Sequence, residues 1–233
     1  MKLAIMQPYF LPYIGYFHLI SAVDLFIIYD NIKYTKKGWI NRNRLLQNGK
    51  DVLFSLPLKK DSDFLDIRER KLAPDFKREK LLNQIKGAYQ RAPYFEYVFP
   101  LVEQIVKYED SNLFRFLHHS IIKICEYLGI KTEIKVSSNI DIDHDLKNQD
   151  KVLALCEAVS ANTYVNAIGG TGLYNKLDFL NKGIDLKFIR SKTFEYPQFG
   201  DNFVPWLSII DVIMFNPIET IKEYLDINYE LIY

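Results

Sequence analysis

Apolar residues recur along this chain with two different periods, and the switches between them mark its elements. Lys2–Gln7 (KLAIMQ) is a short apolar run stopped by Pro8, and Asp24–Tyr29 (DLFIIY) is a second, ending at Asp30-Asn31. Short apolar runs bounded by turn residues read as buried strands. Between them Tyr9 to Ile14 makes a proline-bracketed loop, and Gly15 to Ser21 reads as the start of a short helix. Strand, loop, helix, strand is a βαβ opening. Asn48-Gly49 is a hairpin signal; it joins an extended piece ending near Leu45 to the apolar run Asp51 to Leu58. Pro74 suits the first turn of a helix, continued at helical spacing by Phe76, Leu81, Leu82, Ile85 and Tyr89. Tyr97 to Leu128 keeps that spacing, with a break near Asp110-Ser111 and Gly129 as the capping residue.

From Ile130 the pattern alternates. Strands are expected at 130–138, 163–167 and 184–190, and helices at 150–161 and 173–181, the second preceded by the glycine turn Gly169-Gly170-Thr171-Gly172. Phe194 to Phe203 is an aromatic loop, Ser208 to Phe215 an apolar helix, and Pro217 opens a last helix through Leu225. Strands alternating with helices predict an α/β fold: a parallel Rossmann-like sheet with helices on both faces. All 233 residues are expected in a single α/β domain, with residues 74–128 as a helical insert or lobe.

Composition narrows the classes. The chain is 48% hydrophobic and 25% charged, with a net charge of +1, so no global field favours nucleic acid or a membrane surface. Cys125 and Cys156 lie far apart in apolar helical context, which argues against a disulfide framework or zinc site. No apolar run is long enough to span a bilayer, and no signal-peptide pattern is visible, so a cytoplasmic location is expected.

Ligands of such sheets collect beyond the carboxyl ends of the strands. Gln7 and Asp30 sit at two of those ends, and a helix beginning near Gly15 can aim backbone N–H groups at an anion. Between Asp30 and Asp51 lie six basic residues and no acidic one. In that stretch Lys36, Trp39, Asn41, Arg42 and Asn43 suit phosphate, carboxylate and sugar recognition, offering a point cation, an aromatic plane, a guanidinium fork and two amides. Tyr34 lies beside them. The aromatic loop after Gln7, with Tyr13 and Tyr16, is a candidate pocket wall, and Gly170 a candidate phosphate cradle. Ser208 and Asp211 are polar residues in an apolar helix, Ser208 also being a candidate N-cap. Asp141-Ile142-Asp143-His144-Asp145 lacks the glycine and distal glutamate of a calcium loop and reads as a solvated acidic loop, so no metal site is expected. His18, His118 and His119 read as structural residues.

The segments QPYFLPYIGYF (Gln7 to Phe17), Asp24 to Leu45, Tyr164 to Tyr174 and YPQFGDNFVPWLSIID (Tyr196 to Asp211) resemble the WbqC-like family. Members of that family occur in bacterial gene clusters for O-antigen and other surface polysaccharides, and a proposed role for one branch is transfer of glycine onto an amino sugar. The resemblance implies a transferase acting on a small-molecule or lipid-linked sugar, with ATP and magnesium as candidate cofactors and a homo-oligomer as an open alternative. Asp30 is then the candidate base, with Lys36 and Arg42 offsetting charge in the transition state. Tyr13-Ile14-Gly15-Tyr16 more distantly resembles the HxGH loop of nucleotidyltransferases, with both histidines replaced by tyrosine. Tyrosine is neutral near pH 7 and supplies no cation. Two competing readings stand beside this one: a nucleotidyl- or glycosyltransferase acting on a nucleotide sugar, and a non-catalytic scaffold of the polysaccharide machinery.

Overall fold

The computed structural model describes residues 1–200 and 202–233. The opening βαβ unit is present. Strand β1 (Lys2–Met6) leads through the loop to helix α1 (Ile14–Ser21) and on to β2 (Leu25–Ile28). β1 and β2 pair in parallel, Leu3 against Leu25 through Met6 against Ile28. The hairpin β3 (Arg42–Gln47) and β4 (Lys50–Ser55) turns at Asn48-Gly49, both with positive φ (51° and 72°), and forms its own two-stranded sheet. Two positive φ values in a two-residue turn match the right-handed twist of the strands they join.

Three helices follow: α2 (Arg78–Tyr89), α3 (Phe95–Val106) and α4 (Leu113–Leu128), the last capped at its start by Asn112 and closed by Gly129 at φ 72°. Helix α2 begins later than the proline signal suggests. Leu72 and Ala73 are extended, their N–H groups donating to Ser111 and Pro57, so Pro74 lies in the turn that precedes the helix.

The second half alternates as expected: β5 (Glu133–Val136), α5 (Asn148–Ala158), β6 (Thr163–Ala167), α6 (Lys176–Asn181) and β7 (Asp185–Ser191). Helices α7 (Ile209–Phe215) and α8 (Ile218–Ile227) precede a final strand, β8 (Tyr229–Ile232). Strand β8, half-buried at the sheet edge, shows no apolar run in the sequence, and it pairs antiparallel to β7. The main sheet has the order β5-β2-β1-β6-β7-β8, all parallel except β8. The order reverses between β1 and β6, which is where such sheets open a crevice.

Alternating strand residues feed two cores. Ala4, Phe26, Ile28, Val165 and Ile189 pack on one side with apolar residues of α1 to α4, α7 and α8. Leu3, Ile5, Leu25, Ile27, Tyr164 and Leu186 pack on the other with Val152, Leu155, Cys156 and Phe179 from α5 and α6. Helices thus cover both faces. Buried His18 ties α1 to the far end of the chain, its ring nitrogens 2.8 Å from Ser191 Oγ and 3.0 Å from the Tyr224 carbonyl. Both cysteine thiols are buried and pushed up to about 12, which leaves them protonated and inert. Among the described residues no helix is long and apolar enough to cross a membrane.

Candidate functional site

Two concave surfaces lie on the loops that leave the carboxyl ends of β1 and β2. The first is polar, with a volume of about 830 Å³. Tyr29 and Asn31 follow β2, Lys33 and Arg68 stand on one wall, Lys147 and Lys151 belong to the start of α5, and Gly172 to Tyr174 close it from the loop after β6. Four cations therefore face two carboxylates, Asp66 and Asp145. The first turn of α5 has no side-chain cap, so its free N–H groups and dipole add to the positive potential.

Lys151 is the most constrained of the four. It is 4% exposed, and its ammonium donates to the carbonyls of Asn31 (3.2 Å) and His144 (3.1 Å), leaving one donor over. Burial, reinforced by the Lys147 charge, pulls it below the usual lysine range. Asp30 stands behind this wall rather than in it. Its carboxylate accepts from Ser138 N (3.0 Å) and Ser138 Oγ (2.7 Å), with Ser137 Oγ at 2.7 Å, and it is 2% exposed. These bonds fasten the end of β2 to the end of β5. Asn31 Nδ2 meets His144 Nδ1 at 2.9 Å and draws the loop 141–148 onto the same wall.

The second surface is an aromatic cleft of about 260 Å³, lined by Tyr9, Pro12, Tyr13, Trp39, Asn43, Arg44 and Trp206. Tyr13 and Trp206 meet edge to face, centroids 5.7 Å apart and planes at 60°. The Arg44 guanidinium lies 5.3 Å from the Trp39 ring, donates to Asp51 at 2.9 Å and reaches the Trp206 carbonyl at 3.1 Å. Asn43 is spent on the scaffold: its amide donates to the Phe10 and Leu11 carbonyls, and its oxygen accepts from Arg44 N.

The residues singled out in the sequence divide between these surfaces and their supports. Tyr13, Trp39 and Asn43 line the cleft. Gly15 supports it, because a Cβ there would stand 2.4 Å from the Tyr13 ring. Ser208 caps α7 and donates to the Leu11 carbonyl at 2.8 Å. Asp211, in the first turn of α7, accepts from Gln198 Nε2, whose Oε1 accepts from Val204 N at 2.8 Å. Burial raises Asp211 to about 7 against the opposing hydrogen bonds from Gln198 and Tyr196. Tyr16 is buried, its hydroxyl donating to the Gln7 carbonyl at 3.0 Å. Gly170 packs against Asn166 in the turn after β6, a Cβ there meeting Nδ2 at 3.0 Å.

Elsewhere the basic stretch closes on itself. Tyr34 donates to Asn41, and Asn41 to the Leu56 carbonyl, each at 2.8 Å. Lys36 is exposed and pairs with Asp63 at 2.8 Å. Arg42, which the sequence suggested as a free fork, spends two of its donors within its own loop. Nε donates to the Gly38 carbonyl at 3.0 Å and one terminal nitrogen to the Lys37 carbonyl, so Arg42 closes the 37–42 turn. Neither Lys36 nor Arg42 lines the polar cavity. Sequence reasoning passed over Arg68, Lys147, Lys151 and Trp206, and took Tyr9 and Arg44 only as parts of the aromatic loop and the basic stretch. Lys147 and Lys151, four apart at a helix start just past a strand and loop, carried a readable signal; Arg68, near in space only, carried none.

A family model described as the WbqC-like protein family matches residues 7–223. An uncharacterized protein of Mycobacterium tuberculosis, Rv1507c, is 27% identical over 227 residues, covering 96% of this chain and 97% of that protein. No solved structure gives a significant match.

Proposed function

This chain belongs to the WbqC-like protein family, and from that premise we propose that it is a transferase of surface-polysaccharide synthesis. It moves an acyl or aminoacyl group, glycyl in the simplest case, onto an amino sugar carried on a nucleotide or lipid diphosphate. One observation carries the reading: Lys33, Arg68, Lys147 and Lys151 converge on a cavity beyond the strand ends, beside the uncapped start of α5. Four cations against two carboxylates suit a diphosphate, whose charge a buried ammonium and a guanidinium fork neutralise.

ATP would be held by the same four cations and, when bound, would supply the leaving group that activates the acid. The chain's own residues bind and orient. Lys151 is fixed by two carbonyls and so presents its charge from a defined point. Asp30 serves here as the strut that holds the β2 end, its oxygens already occupied.

The test is incubation of the full chain with ATP, glycine and a panel of nucleotide-linked amino sugars, read by mass spectrometry. A sugar product heavier by one glycyl residue supports the reading. Pyrophosphate release with an unmodified sugar points to nucleotidyl transfer instead. No turnover, with no binding of any nucleotide sugar, leaves the scaffold reading.

A further inference from the structure

We propose that the aromatic cleft of Tyr9, Tyr13, Trp39 and Trp206 is a saccharide subsite that takes one pyranose ring. The inference deepens the function above and rests on it only in calling that ring the acceptor; the binding itself needs no transfer.

The cleft gathers surface that a chain normally hides. The sequence has two tryptophans, and both line this cleft. Trp39 is 41% exposed, Trp206 65% and Tyr13 36%. Large aromatics grouped in a concave surface mark a binding site more often than a packing accident.

The cleft is also built at a cost. Trp206 has φ 62° and Leu11 φ 44°, left-handed conformations that side chains with a Cβ avoid. Such residues persist where the surroundings hold them, and they cluster at ligand sites. The holding groups here are specific. Arg44 grips the Trp206 carbonyl, while Asn43 and Ser208 both donate to the Leu11 carbonyl at 2.8 Å. Gly15 leaves the space in which the Tyr13 ring lies. Three side chains thus hold the backbone at Leu11 and Trp206, and one missing Cβ makes room for the Tyr13 ring, before any ligand arrives.

The chemistry selects the occupant. The Arg44 guanidinium beside Trp39 repels a permanently charged cation, which excludes an ammonium cage of the usual kind. The Tyr13 and Trp206 planes stand 60° apart, so a flat nucleobase cannot stack on both. A pyranose presents apolar C–H faces at several angles, which suits rings set at such an angle to one another.

Because both tryptophans report from the cleft, intrinsic fluorescence of the full chain reads it directly. The titrants are methyl glycosides of hexoses, hexosamines and N-acetylhexosamines, with adenosine and inorganic pyrophosphate alongside. A saturable change with at least one glycoside is expected, weakened about tenfold or more in Trp206→Ala, the scale of one lost aromatic contact. Tyr13→Phe keeps the ring and should weaken the same glycoside less. Lys151→Met, in the other cavity, should leave it unchanged. Saturation by adenosine but by no glycoside, or no saturation by any glycoside at its solubility limit, overturns the subsite. Glycoside binding without product in the transfer assay sinks the transfer and keeps the subsite. Full transfer with unchanged KM in Trp206→Ala does the reverse.

Discussion

The polar cavity beyond β2 and the aromatic cleft beyond β1 sit on adjacent strands and are built in opposite ways. The cavity is a collection of long side chains. Lys33 and Lys147 reach into it, and only Lys151 is locked, by two carbonyls. The cleft is made of stiff rings from three segments, two of them carrying a left-handed residue, Leu11 or Trp206, whose carbonyl is clamped by side chains. Charge acts over several ångströms and tolerates loose placement, whereas ring contacts fall away within one. A site that must attract an anion can leave its cations mobile; one that must orient a neutral ring has to be rigid beforehand.

The largest expected effect tests how that rigidity is maintained. Asp211 ties α7 through Gln198 to Val204, two residues before Trp206. It is fully buried, and burial raises its carboxyl on folding from the usual aspartate range, near 3.8, to about 7. The native state therefore keeps a proton that the unfolded chain releases between those values. Its contribution is complete below about pH 4 and is lost as the pH rises to about 7, where the native carboxyl ionises. Asp211→Asn cannot ionise, so it should gain on the wild type across that window, by at most about 4 kcal/mol, and then hold a constant difference. Melting temperatures of both proteins from pH 4 to pH 8 decide it. Parallel curves would show that Asp211 does not titrate there.

Lys151→Met comes next and should act on the cavity alone. It removes a charged donor from two carbonyls and from any bound phosphate. Pyrophosphate affinity should fall by about 2–3 kcal/mol, the upper range for hydrogen bonds to a charged group. Calorimetry in low salt measures this, and a binding constant equal to wild type would move the anion site elsewhere.

Gly15→Ala should do the converse. The added methyl collides with the Tyr13 ring, but that ring is partly exposed and can swing away. Helix propensity returns up to about 1 kcal/mol, so the melting temperature should stay close to wild type while tryptophan emission and glycoside affinity change. A large loss of stability with an unaltered emission spectrum would mean that Tyr13 cannot move and that the glycine serves the fold.

Sequence periodicity revealed the sheet far better than the site. Runs such as Leu25 to Ile28 are apolar because both faces of the strand are covered, and that pattern survives in one dimension. Strand β8 escaped because it lies half-buried at the sheet edge and its YELI is no unbroken apolar run, unlike the equally short β2. The site depends on which donors are already used, and sequence does not record that. Arg42 and Arg44 sit two apart in the same strand, yet one closes its own turn while the other reaches Trp206, 162 residues away. Trp39 and Tyr13 could be named as exposed aromatics; that Trp206 would meet Tyr13 depends on α7 seating against Leu11 through Ser208.

Arg42→Lys is the smallest change and separates two kinds of arginine in one hairpin. Seen in the sequence, Arg42 has no acidic neighbour and looks free to fork onto an anion. Folded, two of its donors hold the carbonyls of Lys37 and Gly38, and its guanidinium carbon lies 5.8 Å from the Trp39 ring. Lysine keeps the charge but has no planar fork, and its single nitrogen cannot reproduce the paired Nε and Nη geometry on the two carbonyls. The carbonyls are partly exposed, and water replaces the lost bond. The expected cost is about 1 kcal/mol, or about 2–4 °C in melting temperature for a chain of this size. Pyrophosphate affinity should not change, because Arg42 does not line the polar cavity. Glycoside affinity should slip only as far as Trp39 loosens. Melting and both titrations on the same preparation settle it: a fall in pyrophosphate affinity at constant melting temperature would put Arg42 on the anion after all and extend the cationic site into the hairpin.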